Sequence, residues 1–354
     1  MSAFEDSFGK VNDLFFKEVL WPFKGHHRGE VQTGPAYGVD TSVIDLGNNQ
    51  GLAITSDPLS LIPTLGLKES AWLSVHLLAN DMATTGFSPM YAQFVLNLPT
   101  TLTRGDFTTY WQHIHAFCDE IGVAITGGHT GQITGQNSTI AGGGTMFLTA
   151  PLDEILTSNR AREGDVIVVT KETALTASSI LASSFPSTIS KKLGEEALRE
   201  GKLNFYRTSS LPDARAAMEI LAPQKALMAM HDVTEGGVMG CIYELAVASG
   251  CGFVVHDDLL PVGKVQKDIC KLFHIDHRLC VGAGSMVMAV QKGTEDVLVD
   301  GLNKRGIKAA VVGELTALED GFSIVENDEK KIFNYNGKDP YWEAFFRALA
   351  SGWK

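Results

Sequence analysis

The chain lacks several features that would place it in a familiar class of protein. It has no apolar run long enough to span a bilayer and no signal-peptide core near its start, so we expect a cytoplasmic protein without a membrane partner. Its five cysteines contain no CxxC pair and are odd in number, which argues against a zinc site and a disulfide framework. The formal net charge of −12 argues against nucleic acid as a partner. Neither a GxxxxGK(S/T) loop nor a GxGxxG fingerprint occurs, which removes the two commonest nucleotide-binding folds.

What the chain does contain is enough apolar material for two domains. Of its 354 residues, 44% are hydrophobic and 20% are charged. Apolar periodicity predicts the order strand, helix, strand, helix, strand for the first half. The predicted elements are a hairpin of residues 39–46 and 51–55, a helix from Ser70 to Gly86, a strand over 90–98, a helix capped by Asp106 and closed by Gly122, and strands over 123–126 and 138–149.

A polar connector over residues 152–164 marks the predicted domain boundary, which gives domains 1–155 and 156–354. The second half repeats the α/β style, so the predicted fold class is α/β, or α+β, with two domains. Residues 183–209 contain Pro186, two glycines and several charges, which predicts a mobile loop with a short helix. The other predicted elements are strands over 165–171, 252–256, 285–291 and 308–314, helices near 174–184, 212–222 and 235–249, and a terminal helix over 341–350.

Residues 231–237, His-Asp-Val-Thr-Glu-Gly-Gly, bring an acid, a hydroxyl and two glycines to the start of a predicted helix. Free N–H groups at a helix start can face a phosphate. Asp232 repels a phosphate unless a cation such as Mg²⁺ lies between them. The segment therefore predicts a metal-phosphate site, but a ligand-free helix capped by Asp232 or Thr234 explains it equally well.

Two further acids in the first half are candidate metal ligands. Asp57 closes the run 54–57, where its carboxylate and the neighbouring hydroxyls could reach a hard cation, although an Asp-Pro turn selects the same residue. Asn80 and Asp81 lie in a helix otherwise patterned for burial, so a buried Asp81 needs a partner. A solvated helix face with local hydrogen bonding is the alternative.

Two glycine-rich segments and one basic cluster are weaker signals. Residues 127–130, Gly-Gly-His-Thr, follow a predicted strand, and the glycines let the backbone approach a ligand toward which His129 and Thr130 point. The three glycines at 142–144 lie in a strand-like context, so we interpret them as a bulge or close packing rather than a phosphate loop. The basic cluster over 24–28 could close over phosphates, but a surface turn explains it better.

The order and spacing of these segments resemble a known family. The matching segments are 38–44, 55–57, 79–83 with Gly86 and Pro89, 127–130, 164–165 and 230–237. Together they resemble the aminoimidazole-ribonucleotide (AIR) synthetase-like, or PurM-like, superfamily over about residues 34–315. The closest similarity is to its AIR synthase-related, HypE-like branch, through residues 34–35, 56–58, 79–81 and 127–130.

The resemblance implies a two-domain protein with ATP bound in the cleft between the domains and Mg²⁺ held by aspartates. It also implies a homodimer formed through the sheets of the N-terminal domains. Transferred position by position, it makes Asp40, Asp57 and Asp81 metal ligands and Asp232 a metal or phosphate ligand. The catalytic candidates are Asp232 and His129, and the implied nucleotide contacts are Asn80, Gly127, Gly128, Thr130, Thr234, Gly236 and Gly237.

Departures from the family pattern bear on the reaction. The thiamine-monophosphate kinase pattern has acids where this chain has Val39 and His129, so two carboxylates are missing. The hydrogenase maturation factor ends in a reactive cysteine, whereas the last cysteine here is Cys280. The N-terminal cysteine used by selenophosphate synthetase is missing as well, because residues 1–117 contain none.

The resemblance to the AIR synthase-related, HypE-like branch implies, as the leading hypothesis, an ATP- and Mg²⁺-dependent enzyme that activates an amide or similar oxygen by phosphoryl transfer. The acceptor is an unidentified small molecule or protein terminus. One alternative is a nucleotide-binding regulatory or maturation scaffold without turnover. The other is a small-molecule kinase of the thiamine-monophosphate kinase type.

Overall fold

The first half of the chain forms a six-stranded sheet covered on one face by two helices. The computed structural model describes residues 10–354, so residues 1–9 of the predicted first domain lie outside it. The strand order is β1-β2-β3-β6-β4-β5, and only β4 and β5 pair in parallel. The elements are α1 (Asp13–Phe15), β1 (Val31–Thr33), β2 (Ser42–Gly47), β3 (Gln50–Ser60), α2 (Leu67–Ala83), β4 (Tyr91–Pro99), α3 (Arg104–Glu120), β5 (Ala124–Ile133) and β6 (Ile140–Pro151).

Alternation along the central strands separates a core face from an open face. Buried side chains such as Leu59, Phe94 and Met146 pack with α2 and α3 in one core, because successive strand residues point to opposite sides. On the other side, no helix of the described chain covers the sheet, and Val95 is 43% exposed. We call this side the open face.

The structure confirms the predicted hairpin but extends its second strand. Asn48 and Asn49 have left-handed φ values of 53° and 58°, which suit a tight turn between β2 and β3. Asp57 lies within β3 and pairs with Gly144, so the prediction that it ends a strand is wrong. The predicted cap of α3 is also wrong, because Thr103 accepts the N–H of Asp106 through its hydroxyl at 3.1 Å.

The 127–130 segment lies inside β5 and is not a turn after it. Gly128 has φ of 142°, and a Cβ there would lie 1.8 Å from the carbonyl oxygen of Phe94 in β4. This glycine is therefore required by the close approach of two strands. The glycines at 142–144 lie within β6, which confirms their structural interpretation.

The second half forms a seven-stranded mixed sheet in the order β13-β12-β9-β11-β7-β10-β8. Its central strands β7 and β10 are wholly buried, as their continuous apolar sequences require. The elements are β7 (Val166–Thr170), α4 (Leu175–Ser184), α5 (Pro186–Leu193), α6 (Glu195–Leu203), α7 (Leu211–Leu221), β8 (Leu227–Asp232), α8 (Gly237–Ser249), β9 (Gly252–His256), α9 (Lys264–Phe273), β10 (Met286–Val290), α10 (Glu295–Lys304), β11 (Ala309–Thr316), β12 (Phe322–Glu326), β13 (Glu329–Ile332) and α11 (Tyr341–Ala350).

The predicted mobile loop over 183–209 is instead helical. Pro186 occupies the first turn of α5, where its missing N–H costs nothing, so it starts a helix rather than breaking one. Gly194, with φ of 96°, separates α5 from α6. One side of this helical pair reaches the core through Ile189, which is fully buried.

The two sheets meet at the predicted connector. The first sheet ends at Pro151 and the second begins at Val166, so the chain passes between them through residues 152–165. This arrangement confirms a mixed α/β fold with two sheets, while the division at 155/156 stays a prediction. Within residues 10–354, no helix has the length and apolar character needed to cross a bilayer.

Candidate functional site

Acidic side chains from both halves of the chain converge on one cleft. The cleft contains a cavity of about 530 Å³, whose lining includes Asp40, Asp57 and Asp81 from the first half and Glu235 from the second. Asp57 lies on the core side of β3, and Asp81 lies in the last turn of α2, which packs against β3. Asp232 ends β8, an edge strand of the second sheet, and its neighbours include Asp40, Asp57 and Asp81. The structure therefore brings the four predicted metal carboxylates together.

Hydroxyl groups hold two of these acids in place. The Thr55 hydroxyl lies 2.7 Å from Asp81 Oδ2 and 3.0 Å from the backbone oxygen of Asp40. The Ser158 hydroxyl donates to Asp40 Oδ2 at 3.0 Å from the second half of the chain. Asp232 is different, because both of its carboxylate oxygens are buried and have no hydrogen-bonding neighbour apart from the carboxyl group of Asp81.

The cluster has more negative charge than the protein compensates. Burial raises the pKa of Asp57 and of Asp81 well above the usual value, and the neighbouring acids add to both shifts. Burial and then Asp40 raise the pKa of Asp232 to about 7. An ionised carboxylate without donors is costly to bury, so this arrangement fits a bound divalent cation. Oxygen ligands of this type suit Mg²⁺, and Asp40 and Asp232 offer ligand atoms close enough to hold one ion, whereas Asp57 and Asp81 stay predicted ligands.

His231 lies close enough to be a ligand but already has protein partners. Asp40, His231 and Asp232 offer ligand atoms within 4.8 Å of one another. However, His231 Nδ1 lies 2.9 Å from the backbone oxygen of Asp232, and Nε2 lies 3.3 Å from Glu244 Oε2. Burial alone lowers the pKa of His231, but Asp40 and its other neighbours together raise it well above the usual value. A protonated imidazole donates and does not coordinate, so the carboxylates are the better ligands.

Next to the cluster lies a charged network that the sequence did not predict. Lys10 Nζ lies 2.5 Å from Glu244 Oε2, and the backbone N–H of Lys10 donates to Glu235 Oε2 at 2.6 Å. Burial by itself raises the pKa of Glu244, but Lys10 and His231 together lower it to about 2. Glu244 could have indicated this network from the sequence, because it is an acid within the apolar stripe of α8. In the structure its exposure is 2%.

His129 does not join the aspartates of its own chain. It pairs with Val95 in β4, Val95 pairs with Gly143 in β6, and Gly143 pairs with Pro58 in β3. Three strand spacings place it about 14 Å from β3. Laterally paired residues share a face, so His129 is on the open face and Asp57 is on the core face. Gly127, Gly128 and Thr130 are likewise exposed in the edge strand β5 and do not line the cavity.

The N-terminus of α8 does not offer the free amides that the sequence analysis expected. The N–H of Gly236 donates to Asp339 Oδ2 at 2.9 Å, and the N–H of Gly237 donates to the carbonyl of Thr234. A Cβ on Gly236 would lie 1.9 Å from the Tyr335 hydroxyl, so the glycine accommodates this ring. The expected phosphate site at this helix start is thus filled by protein groups, whereas Thr234 does line the cavity.

Asn80 connects the two halves of the chain. Its side-chain nitrogen donates to the carbonyl of Thr208 at 3.0 Å, and its side-chain oxygen accepts the N–H of Ser210 at 2.7 Å. In this conformation both the nitrogen and the oxygen of the Asn80 side chain are hydrogen-bonded to the backbone. A nucleotide contact by Asn80 therefore stays a prediction. The basic cluster over 24–28 is fully exposed and does not line the cavity, which favours the surface turn.

The fold and the site define a class of two-domain α/β proteins with a carboxylate cluster between the domains. Comparison with protein families gives the class its name. Residues 38–147 match the N-terminal domain of the AIR synthase related proteins, and residues 162–326 match their C-terminal domain. The chain belongs to the AIR synthase related protein family, and the resemblance seen in the sequence is confirmed.

Individual relatives share modest identity over most of the chain. Carbamoyl dehydratase HypE of Escherichia coli is 25% identical over 248 residues, which is 67% of each chain. Thiamine-monophosphate kinase of Buchnera aphidicola is 22% identical over 340 residues, covering 89% of this chain and 95% of the kinase. The crystal structure of hydrogenase maturation protein HypE in complex with ATP superposes with a TM-score of 0.65 at 17% identity, covering 94% of this chain and 97% of that one.

Proposed function

We propose that the chain is an ATP- and Mg²⁺-dependent enzyme that activates an amide or carbonyl oxygen of its acceptor by phosphoryl transfer. The observation that carries the proposal is the cluster of Asp40, Asp57, Asp81 and Asp232, in which the buried Asp232 carboxylate has no cationic partner and only another acid, Asp81, as a hydrogen-bonding neighbour. The ATP complex of HypE supports nucleotide binding, and the carbamoyl dehydratase name of the E. coli relative supports an amide-like acceptor. Cytoplasmic location remains part of the proposal.

The protein's own contribution to such a reaction is positioning. Mg²⁺, when bound, would supply the positive charge that lets a triphosphate approach four acids. Thr55 orients Asp81, and Ser158 orients Asp40. His231 Nδ1 lies 3.2 Å from Asp40 Oδ2 and adds a second contact to this acid. Phosphoryl transfer requires little covalent chemistry from the protein, so the protein lowers the barrier mainly by holding the reacting groups in position.

The proposed chemistry is balanced for a primary amide. The amide oxygen bonds to the γ-phosphorus of ATP as the bond to the bridging oxygen breaks, which releases ADP. The nitrogen loses one proton, so an O-phosphoryl imidate remains. Loss of the second nitrogen proton with cleavage of the carbon–oxygen bond then gives a nitrile and inorganic phosphate. Asp232 is our candidate proton acceptor, because its carboxylate lies buried among the other acids, where a proton of the amide could be taken up.

A homodimer formed through the open faces accounts for the position of His129. The open face carries exposed apolar side chains, including Tyr91 at 36% and Val95 at 43%, beside His129. Within one chain His129 is remote from the aspartates, so its predicted catalytic role requires a second copy that brings the two sites together. The same holds for Gly127, Gly128 and Thr130 as nucleotide contacts.

The test is the fate of the acceptor oxygen. Wild type and Asp81→Asn are incubated with ATP, Mg²⁺ and primary carboxamides carrying a heavy oxygen isotope, and ADP and phosphate are analysed. The proposal predicts acceptor-stimulated ADP formation by wild type alone, with the heavy oxygen in the released phosphate. A stable phosphorylated product would instead identify a small-molecule kinase. Tight binding of ATP without ADP formation would identify the regulatory or maturation scaffold.

A further inference from the structure

A second cavity lies outside the acidic cleft and is lined by three tyrosines. Its volume is about 240 Å³, and the tyrosines are Tyr37, Tyr243 and Tyr335. The rest of the lining consists of Asn12, Asp13, Leu14, Asn336 and Gly337. None of these residues lines the cleft, so the proposed chemistry does not account for this second cavity. We call it the tyrosine cavity.

Packing against the second sheet holds two of the tyrosine rings in place. Tyr243 lies in α8, and its ring meets that of Phe322 at a centroid distance of 4.8 Å. Tyr335 follows β13, and its ring stacks on Phe333. The rings of Tyr243 and Tyr335 have centroids 5.2 Å apart and are inclined by 53° to each other. Tyr37, which precedes β2, is buried, and its hydroxyl has Glu244 as a hydrogen-bonding neighbour.

Asp13 gives the tyrosine cavity a carboxylate with one unused oxygen. Its Oδ2 accepts a hydrogen bond from Lys17 Nζ at 2.7 Å, and the Lys17 side chain is 61% exposed. Its Oδ1 is buried and has no hydrogen-bond partner among residues 10–354. An exposed ion pair contributes little, so Lys17 does not replace a ligand at Oδ1. A buried carboxylate oxygen without a partner favours an occupant with positive charge.

The wider surroundings of the tyrosine cavity are also acidic. The charged groups that act on Tyr335 are three acids, Glu235, Glu244 and Asp339, and one lysine. This lysine, Lys10, is already paired with Glu244 at 2.5 Å. Burial raises the pKa of Asp339 to about 7, so this acid is mostly ionised at pH 8. Because no lysine or arginine of the described chain lines the tyrosine cavity, an anion would be repelled from it and a cation attracted.

The chemistry of the lining narrows the cation to one class. The face of a tyrosine ring attracts a cation within about 6 Å of its centroid, and sets of such rings bind substituted ammonium ions. A hard metal ion needs several oxygen ligands, but Asp13 is the one carboxylate here, and the amide oxygens of Asn12 and Asn336 already accept backbone N–H groups. Leu14 adds an apolar contact for alkyl groups. The volume lies below the range of about 300–1,000 Å³ for drug-sized ligands, so a small ion fits.

We propose that the tyrosine cavity binds a small alkylated ammonium ion, with its alkyl groups against Tyr37, Tyr243 and Tyr335 and its charge balanced by Asp13. The inference adds a second ligand site to the chain. It does not depend on the proposed phosphoryl transfer, because the tyrosine cavity and the cleft share no lining residue.

The experiment compares two probes of the same shape and different charge. Choline is titrated into the wild-type protein at pH 8, and so is the neutral alcohol in which a tert-butyl group replaces the trimethylammonium group. Binding is followed by saturation-transfer NMR of the methyl signals of the probes. We expect choline to bind at least about tenfold more tightly, because both the rings and Asp13 act on its charge. Equal affinity of the two probes, or no binding of millimolar choline, would overturn the inference.

Variants of the lining test which groups recognise the charge. Tyr243→Phe keeps an aromatic ring and should bind choline within about twofold of wild type, whereas Tyr243→Leu should bind it at least about fivefold more weakly. Asp13→Asn should weaken choline binding at least about fivefold and leave the neutral alcohol unaffected. Asp119→Asn removes an exposed acid of α3 outside the tyrosine cavity and should change neither probe. Thermal unfolding midpoints show that each variant is folded.

The aspartates of the cleft could also attract a cation, so competition distinguishes the two sites. Choline bound in the tyrosine cavity should keep its affinity when Mg²⁺ and ATP are added. Displacement of choline by Mg²⁺, or by Mg²⁺ with ATP, would assign its binding to the cleft and overturn the inference. Wild-type affinity for choline in folded Tyr243→Leu and Asp13→Asn would overturn it as well.

Discussion

Replacing Asp232 by asparagine tests whether this acid serves ligand binding or the stability of the fold. Asp232 is fully buried, its oxygens have no hydrogen-bonding neighbour apart from the carboxyl group of Asp81, and Asp40 lies close by. An acid in these surroundings destabilises the protein without its ligand. Asparagine has nearly the same shape, carries no charge, and brings two N–H donors that the neighbouring carboxylates can accept. The account therefore predicts that Asp232→Asn stabilises the ligand-free protein while it weakens nucleotide binding.

The magnitude follows from the pKa of Asp232. Burial and Asp40 raise it from 3.8 to about 7, so the native state binds this proton more tightly than the unfolded chain does. The resulting cost to stability grows as the pH rises from 3.8 to 7 and is complete above it. At 1.36 kcal/mol for each pKa unit, the cost at pH 8 is about 4 kcal/mol. Asp232→Asn should recover a large part of this free energy of unfolding.

The assay is urea unfolding at pH 8 in the presence of a chelator, with Asp213→Asn as the matched control. Asp213 is also fully buried, but Lys171 Nζ lies 2.7 Å from its Oδ2. Removing that charge leaves the ammonium of Lys171 without its acid and should cost about 3 kcal/mol or more. The same chemical change at two buried acids should thus shift stability in opposite directions.

A loss of stability in Asp232→Asn as large as that in Asp213→Asn would refute this prediction. It would also be refuted if Asp232→Asn gained stability but still bound ATP and Mg²⁺ as the wild type does. The first result would mean that Asp232 has a protein partner in solution. The second would mean that the repulsion has no connection with ligand binding.

Three other positions give independent predictions. His76 stacks on Trp72 at 3.7 Å, and burial lowers its pKa from 6.5 to about 3, so the unfolded chain binds its proton first and stability falls as the pH drops below 6.5. The loss at pH 5 is about 2 kcal/mol, and urea unfolding of His76→Phe across this range should lack it, whereas an unchanged slope would assign it elsewhere. Asn80→Ala leaves two buried backbone groups without partners and should lower the free energy of unfolding by about 3 kcal/mol in the same assay, so a change below about 1 kcal/mol would contradict the interdomain role. Gly128→Ala places a Cβ 1.8 Å from a backbone oxygen and should lower the thermal midpoint and disrupt any dimer in light scattering, whereas Gly127→Ala, with its nearest contact at 3.9 Å, should be tolerated; equal behaviour would argue against close strand packing.

Local patterns predicted most elements of the fold because their causes are local. The alternation in β2 and β3 and the apolar stripes of α2 and α3 were readable, since each element buries one face. Residues 127–130 were predicted to follow a strand but lie inside one, because a pair of glycines interrupts the apolar pattern even where the strand continues. Pairing with β4 decides the matter, and that contact lies outside the local sequence. Pro186 contributed to the wrong prediction of a mobile loop, because a proline can start a helix as well as end one.

The candidate site was only partly accessible from the sequence. The four aspartates were named individually, but their convergence depends on how the two sheets pack, and it was the family resemblance that joined them. The network of Lys10, His231 and Glu244 was missed because Lys10 and Glu244 are 234 positions apart. The role of Asn80 between the two halves was missed for the same reason, since its partners lie 128 and 130 positions away. Long-range pairs of this kind leave no trace in local periodicity.

The central claim is that ATP and Mg²⁺ bind together at the four aspartates. Its most direct test is the thermal unfolding midpoint of wild type and Asp81→Asn with ATP, with Mg²⁺, and with both. The account predicts a shift in wild type that requires both ligands, equivalent to about 2.7 kcal/mol at a hundredfold the dissociation constant, and no shift in Asp81→Asn. Absence of a shift in wild type at millimolar ligand, or an equal shift in the variant, would contradict the account.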